Sequence, residues 1–132
     1  MPVLNNITLL RIEAFLLLCC LLAVYQYLGQ SWMTFLYLFL LPDIALLGYL
    51  ANAKAGAILY NSTHSYIGPL LLAFAATYEP GTLGFAAIWA AHIAFDRALG
   101  YGLKELRGFH YTHLGLIGKA LKEKRRNASS GN

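Results

Sequence analysis

Apolar residues do not alternate with polar ones along this chain; they gather in long runs parted by short polar breaks. The first run extends from about Ile7 to Leu28 and stops at Gly29-Gln30-Ser31, a turn signal. The second, from about Trp32 to Ala51, is interrupted only by Pro42 and Asp43 and gives way to Asn52-Ala53-Lys54. The third covers about Gly56 to Tyr78 and is closed by Glu79-Pro80-Gly81; the fourth covers about Thr82 to Leu103. A helix crosses ~30 Å of hydrocarbon in about 20 residues, so each run predicts one membrane span. Strands fit badly, because a membrane barrel needs alternating segments of about ten residues and four strands cannot close. In lipid the backbone must satisfy its own hydrogen bonds, which makes long apolar runs helical. The expected fold is an all-α membrane protein: a four-transmembrane-helix up-down bundle in residues 1–103, with spans at about 7–28, 32–51, 56–78 and 82–103.

Beyond Leu103 the pattern changes. Residues 104–126 are basic and read as a cytoplasmic juxtamembrane segment. Within them Leu114, Ile117 and Leu121, with lysines between, predict a short interfacial helix from about Thr112. Residues 127–132 read as a disordered tail.

Composition supports the membrane reading. The chain has 132 residues, 58% hydrophobic and 12% charged, whereas a soluble domain carries about 25% charged residues. Its net charge of +4 lies mainly in Lys104–Arg107 and Lys119–Arg126, which suits a lipid bilayer with anionic headgroups. Nucleic acid is not an expected partner, since that needs a solvent-exposed basic face. Arg11, Lys54, Arg97, Lys104 and the basic tail fall on one side of a four-span arrangement, so the positive-inside rule places both termini in the cytoplasm, with the chain in the inner membrane. Tyr25, Tyr27, Trp32 and Tyr78 then fall near the opposite interface as an aromatic belt. Neither a basic cluster nor a small-x-small cleavage site accompanies the first run, which therefore reads as retained. Cys19 and Cys20 are adjacent within it and read as packing residues. Four spans in so short a chain make a thin bundle, for which a homodimer is plausible.

Five ionisable groups interrupt the apolar runs: Glu13, Asp43, His64, His92 and Asp96. Each costs at least ~2.5 kcal/mol to insert, so an intramembrane charge calls for a function. Helix rise places Asp43 and His64 roughly 12 Å in from the cytoplasmic end, His92 and Asp96 roughly 16 and 10 Å, and Glu13 roughly 9 Å. Groups on four helices at similar depth can meet. His92 and Asp96 are one turn apart on one face, while Tyr60, Asn61, His64 and Gly68 share another. Two imidazoles and two carboxylates suit Zn²⁺, Mn²⁺ or Fe²⁺, with Asp43, His64, His92 and Asp96 as ligands. Glu13 would then be the general base of a metal-dependent hydrolase acting on an amphiphilic or lipid-like substrate. Tyr60 and Asn61 would orient ligands. Arg11, Arg97, Tyr101, Lys104 and His113 complete the candidate residues, as groups that would orient ligands or bind substrate, with Arg11 and Arg97 also placed to reach lipid phosphate. Two other readings of the same residues stand beside the metal: a hydrogen-bonded network that fixes helix packing without any enzymatic role, and a relay for protons or ions. No phosphate-binding loop, HExxH or nucleophile elbow is present in the sequence.

Several stretches resemble the DUF4260 family of small bacterial membrane proteins. They are Arg11-Ile12-Glu13, Leu41 to Tyr49, Tyr60 to His64, His92 to Lys104, Gly108-Phe109 and Thr112 to Gly115. The resemblance spans nearly everything between Leu10 and Gly118, and His92 to Lys104 is its most specific part. It implies the fold and the positions of the polar residues, and no particular reaction. A looser similarity, without an aligned motif, is to small membrane proteins described as metal-dependent hydrolases.

Overall fold

Capping residues and prolines decide where the apolar runs become helices. The computed structural model describes residues 5–103, 111–112 and 115–130. Helix α1, Asn6–Tyr27, starts at Asn5, whose side chain accepts from the Ile7 amide at 3.0 Å, and ends before Gly29, which turns the chain at φ 66°. Ser31 caps α2, Trp32–Phe39, by accepting from the Met33 amide, and Asn52 caps α3, Ala53–His64, by accepting from the Ala55 amide. Helices α4, Ile67–Ala75, and α5, Thr82–Leu99, flank the turn at Glu79-Pro80-Gly81. Residues Tyr111–Thr112 and Gly115–Leu116 form a two-residue antiparallel ladder, and α6, Gly118–Ser130, follows.

Two of the four expected spans are helical runs long and apolar enough to cross a membrane: α1, and Trp32–Leu50. The second changes geometry part-way. Pro42 lacks an amide hydrogen, and in an α-helix its ring would collide with the Leu38 carbonyl. Accordingly α2 stops at Phe39, and Leu41–Leu50 continues as a 3₁₀ helix. The third expected span, 56–78, is not one helix but two. Pro69 cannot donate to the Ser65 carbonyl, and the chain opens at Ser65 to φ −97°, ψ 152° before α4 begins. The fourth ends at Gly100, which takes φ 95° in a left-handed cap, so helix stops at Leu99 rather than Leu103. The amphipathic helix expected from Thr112 starts only at Gly118, and it continues to Ser130 through four residues expected to be tail.

Helix α5 is the centre of the assembly. Gly84, Ala86, Ala87, Ile88, Ala91, His92, Ile93 and Ala94 are all buried on it, with α1, α4 and α2 packed around. Small side chains along this stretch allow close helix approach. Tyr25 is fully buried against Ala87 and Ile88, with Phe35, Leu38 and Phe39 beside it. Its hydroxyl donates to the Ser31 carbonyl at 2.6 Å, so Tyr25 closes the core rather than joining an interfacial belt. Tyr27 and Tyr78 do lie exposed. The outer faces are apolar: Leu36, Leu47, Leu50, Leu70, Leu71 and Phe74 all point away from the core.

One close approach has a testable consequence. Gly68 lies flat against the Trp89 ring, where any added Cβ would collide. Trp89 in turn donates through Nε1 to the Thr63 carbonyl at 2.6 Å. Gly68→Val is therefore expected to displace the indole and lower stability by ~1–3 kcal/mol, measured by thermal unfolding in detergent.

Candidate metal centre

The breaks in the second and third spans bring the polar groups together. The 3₁₀ turn after Pro42 carries Asp43, the last residue of α3 is His64, and α5 presents His92 and Asp96 one turn apart. Thr63 links two of these segments, its hydroxyl lying 3.3 Å from the Pro42 carbonyl. Four ligand atoms result, all within 4.8 Å of one another. His64 Nε2 is 3.3 Å from both Asp43 Oδ1 and Asp96 Oδ2. His92 Nε2 is 3.2 Å from Asp43 Oδ1 and 3.3 Å from Asp96 Oδ2. The two Nε2 atoms are 3.0 Å apart.

A neutral imidazole carries one N–H, on Nδ1 or on Nε2. His64 Nδ1 lies 3.0 Å from the Tyr60 carbonyl and 2.9 Å from the Thr63 hydroxyl; when it donates to the carbonyl, its Nε2 lone pair faces the centre and protons alone leave contacts there unpaired. One N–H on His92 Nε2 can then point at only one of its three near neighbours, leaving lone pairs facing carboxylate oxygens. With both Nε2 atoms protonated, the 3.0 Å contact between them sets hydrogen against hydrogen. A cation held between the four atoms would remove each conflict. A tetrahedron with bonds of ~2.0 Å, usual for zinc with nitrogen and oxygen ligands, has six edges of ~3.3 Å. Five of the six separations are close to that, and the sixth, between the carboxylate oxygens, lies within 4.8 Å. Octahedral neighbours at ~2.1 Å lie ~3.0 Å apart, which the same separations also accommodate. A divalent ion and two carboxylates sum to zero charge, which relieves the cost of holding two anions against buried imidazoles.

Supporting contacts hold three of the four groups from behind. The Tyr60 ring stacks on the His64 ring at 3.7 Å, and its hydroxyl lies 3.5 Å from Asp96 Oδ2. The Phe39 ring meets the His92 ring edge-on at 5.2 Å, and His92 Nδ1 is buried with no well-formed hydrogen bond among the described residues. Arg97 Nη2 donates to the His64 carbonyl at 3.1 Å, and its guanidinium lies over the Tyr66 ring. Together with Trp89 on the Thr63 carbonyl, it satisfies the end of α3 that the break at Ser65 exposes. Trp89 and Thr63 carry no charge in a chain rich in apolar and hydroxyl residues, and nothing in the sequence singles them out.

The other expected participants fall elsewhere. Glu13 is exposed on α1 beside buried Ala14 and does not join the four-residue group, so its expected place as general base is not supported by the arrangement. Arg11 caps the far end of α5, donating through Nε to the Ala98 carbonyl at 2.9 Å, while its side chain stays exposed. Arg97 is half-buried. Asn61 is half-buried on α3 and is not one of the four. Tyr101 lines a cavity of about 340 Å³ on the carboxylate side of the centre, with Asp43, Leu46, Tyr60, Asp96, Ile117 and Gly118. Lys104 and His113 lie outside the described residues.

Comparison with known families settles the kinship. The model of the Domain of unknown function (DUF4260) matches residues 7–117. The chain belongs to this family. No curated protein and no solved structure matches it. The matched region contains all four residues of the centre, so the cluster lies within the family domain itself.

Proposed function

We propose that this DUF4260 protein is a multi-pass inner-membrane protein that holds a divalent transition metal on Asp43, His64, His92 and Asp96 and uses it for hydrolysis of an amphiphilic or lipid-like substrate. The observation that carries the reading is the set of five nitrogen and oxygen separations of 3.0–3.3 Å, which a single cation accounts for together. Borderline nitrogen and carboxylate donors favour Zn²⁺, Mn²⁺ or Fe²⁺ over Ca²⁺ or Mg²⁺. Such an ion supplies hydroxide near neutral pH by lowering the pKa of bound water. The cavity beside the carboxylates, walled by Leu46, Tyr60, Tyr101 and Ile117, offers an amphiphile both apolar contact and hydroxyl groups.

Support for the membrane reading comes from where the apolar side chains lie. A long apolar helix in a soluble protein is its buried core, yet α1 and Trp32–Leu50 are almost wholly outside the core here. Lipid is the solvent that tolerates such a surface. On this reading the broken third run and α5 complete four crossings. Their interruption at Ser65 is tolerated because Trp89 and Arg97 satisfy the freed carbonyls. Exposed α6, with Lys122, Lys124, Arg125 and Arg126, then lies at the cytoplasmic surface against anionic lipid.

Two measurements test the proposal. Elemental analysis of the full chain purified in detergent is expected to find about one transition-metal ion per chain, matching the one four-ligand group. A metal-free protein that also fails to take up Zn²⁺, Mn²⁺ or Fe²⁺ overturns the metal reading. Reporter fusions at the two ends are expected to report the cytoplasm at both. Opposite signals at the two ends rule out an even number of crossings.

A second reading has its own support. Four protein ligands without a vacancy are the pattern of structural zinc sites, and these four come from three separate helical segments. Under that reading the ion staples the helices and does no chemistry.

A further inference from the structure

The four groups are not equally held. The side chains of His64 and His92 are 4% and 2% exposed, that of Asp96 is 16% exposed, and that of Asp43 is 39% exposed. His64, His92 and Asp96 stand on α-helices, and each has a further contact that fixes it. His64 is tied to the Tyr60 carbonyl through Nδ1, His92 packs against Phe39, and Asp96 meets the Tyr60 hydroxyl. Asp43 is held at the centre by the two imidazoles themselves.

Asp43 also rides on unusual backbone. The 3₁₀ run Leu41–Leu50 has ten residues, whereas such helices seldom exceed 3–4, and a 3₁₀ stretch within a longer helical run often marks a hinge. Each residue that passes from 3₁₀ to α geometry shortens the run by ~0.5 Å. A few such residues suffice to withdraw a carboxylate from bonding distance. Asp43, the more exposed of the two carboxylates that line the cavity of about 340 Å³, has room beside it for another molecule to take its place.

We propose that His64, His92 and Asp96 are the permanent ligands and that Asp43 is an exchangeable fourth ligand. Its position is taken by a small oxygen donor, water or the carbonyl-type oxygen of a substrate, arriving through the cavity beside Tyr60 and Tyr101. The exchange breaks the bond between the metal and Asp43 Oδ1 and forms one between the metal and the incoming oxygen; no electron is transferred. This rests on the metal reading and decides between its two forms, because three protein ligands with a vacancy are the catalytic pattern and four are the structural one.

The test uses the full chain in detergent, loaded with Co²⁺ as a spectroscopic probe and titrated with acetohydroxamate. Asp43→Asn and Asp43→Ala are expected to keep about one Co²⁺ per chain, with a loss of affinity no larger than the ~10–100-fold of a partner that orients a ligand. The visible spectrum of the wild type is expected to shift with acetohydroxamate, and the variants are expected to bind it more tightly because the competing carboxylate is gone. The proposal is overturned if Asp43→Ala loses Co²⁺ as completely as His64→Ala while keeping its helix content. It is equally overturned if the wild-type spectrum ignores acetohydroxamate at saturation, a result that stands even where the variants do not fold. Failure of the wild type to bind Co²⁺ at all is a separate outcome, which removes the metal reading itself.

Discussion

His92→Ala is expected to lower metal affinity by more than about 100-fold, a larger loss than removal of an outer partner produces. The substitution takes away one ligand and leaves a void beside Phe39 in the most buried part of α5. It also strips both carboxylates of a near neighbour, and a buried polar group left unpaired costs ~1–3 kcal/mol. Metal analysis and thermal unfolding of the same purified sample read both effects. A companion variant separates metal from packing. Asp43→Asn combined with Asp96→Asn removes the anionic charge that the ion balances, so it too is expected to lose metal. Stripped of metal, however, this double variant is expected to unfold at a higher temperature than stripped wild type, because no carboxylate then faces an imidazole lone pair without a cation between them. A metal-independent hydrogen-bonded network predicts the reverse order.

Depth along the helices was readable from the chain, and rotation was not. Asp43, His64, His92 and Asp96 lie at similar distances from one end of their runs, and they meet. Glu13 has a comparable depth yet lies outside the group. Residues of α1 are apolar on every side, so nothing in the pattern says which face turns inward; the packing of α1 on α5 selects Ala14 and leaves Glu13 exposed. The reverse holds for His92 and Asp96, whose i,i+4 spacing fixes their common face whatever the helix packs against.

Helix breaks leave little trace in the hydropathy pattern. Pro42 stands at the change from α2 to 3₁₀ geometry, and Pro69 follows the opening at Ser65 by four residues. An apolar run reads as continuous through both, because hydropathy is blind to the missing amide hydrogen. Yet these breaks are what carry Asp43 and His64 to the centre. Arg11 and Arg97 look like lipid or substrate contacts in the sequence, and in the structure they also donate to the carbonyls of Ala98 and His64. A helix that ends inside an apolar surround leaves carbonyls that need donors, and arginine supplies several in one planar group.

Arg97→Met follows from that role. Methionine keeps much of the apolar stem, so the change removes chiefly the guanidinium that donates to the His64 carbonyl and rests on the Tyr66 ring. The carbonyl of a residue that is itself only 3% exposed is then left without its charged donor, at a cost of ~1–3 kcal/mol. The positive charge near the end of α3 is lost as well, and with it a favourable interaction with the helix dipole. The His64 imidazole is one residue's backbone away from the disturbed carbonyl, so the loosened α3 end is expected to weaken metal binding about 10–100-fold, the usual range for partners that orient a ligand. Arg97→Lys, which retains a charge but not the planar fork, is expected to fall between. Competition with a chromogenic chelator measures both. Wild-type affinity in Arg97→Met would show that the end of α3 is held by Trp89 and Thr63 alone. In that case the arginine serves the junction with α4 and not the centre.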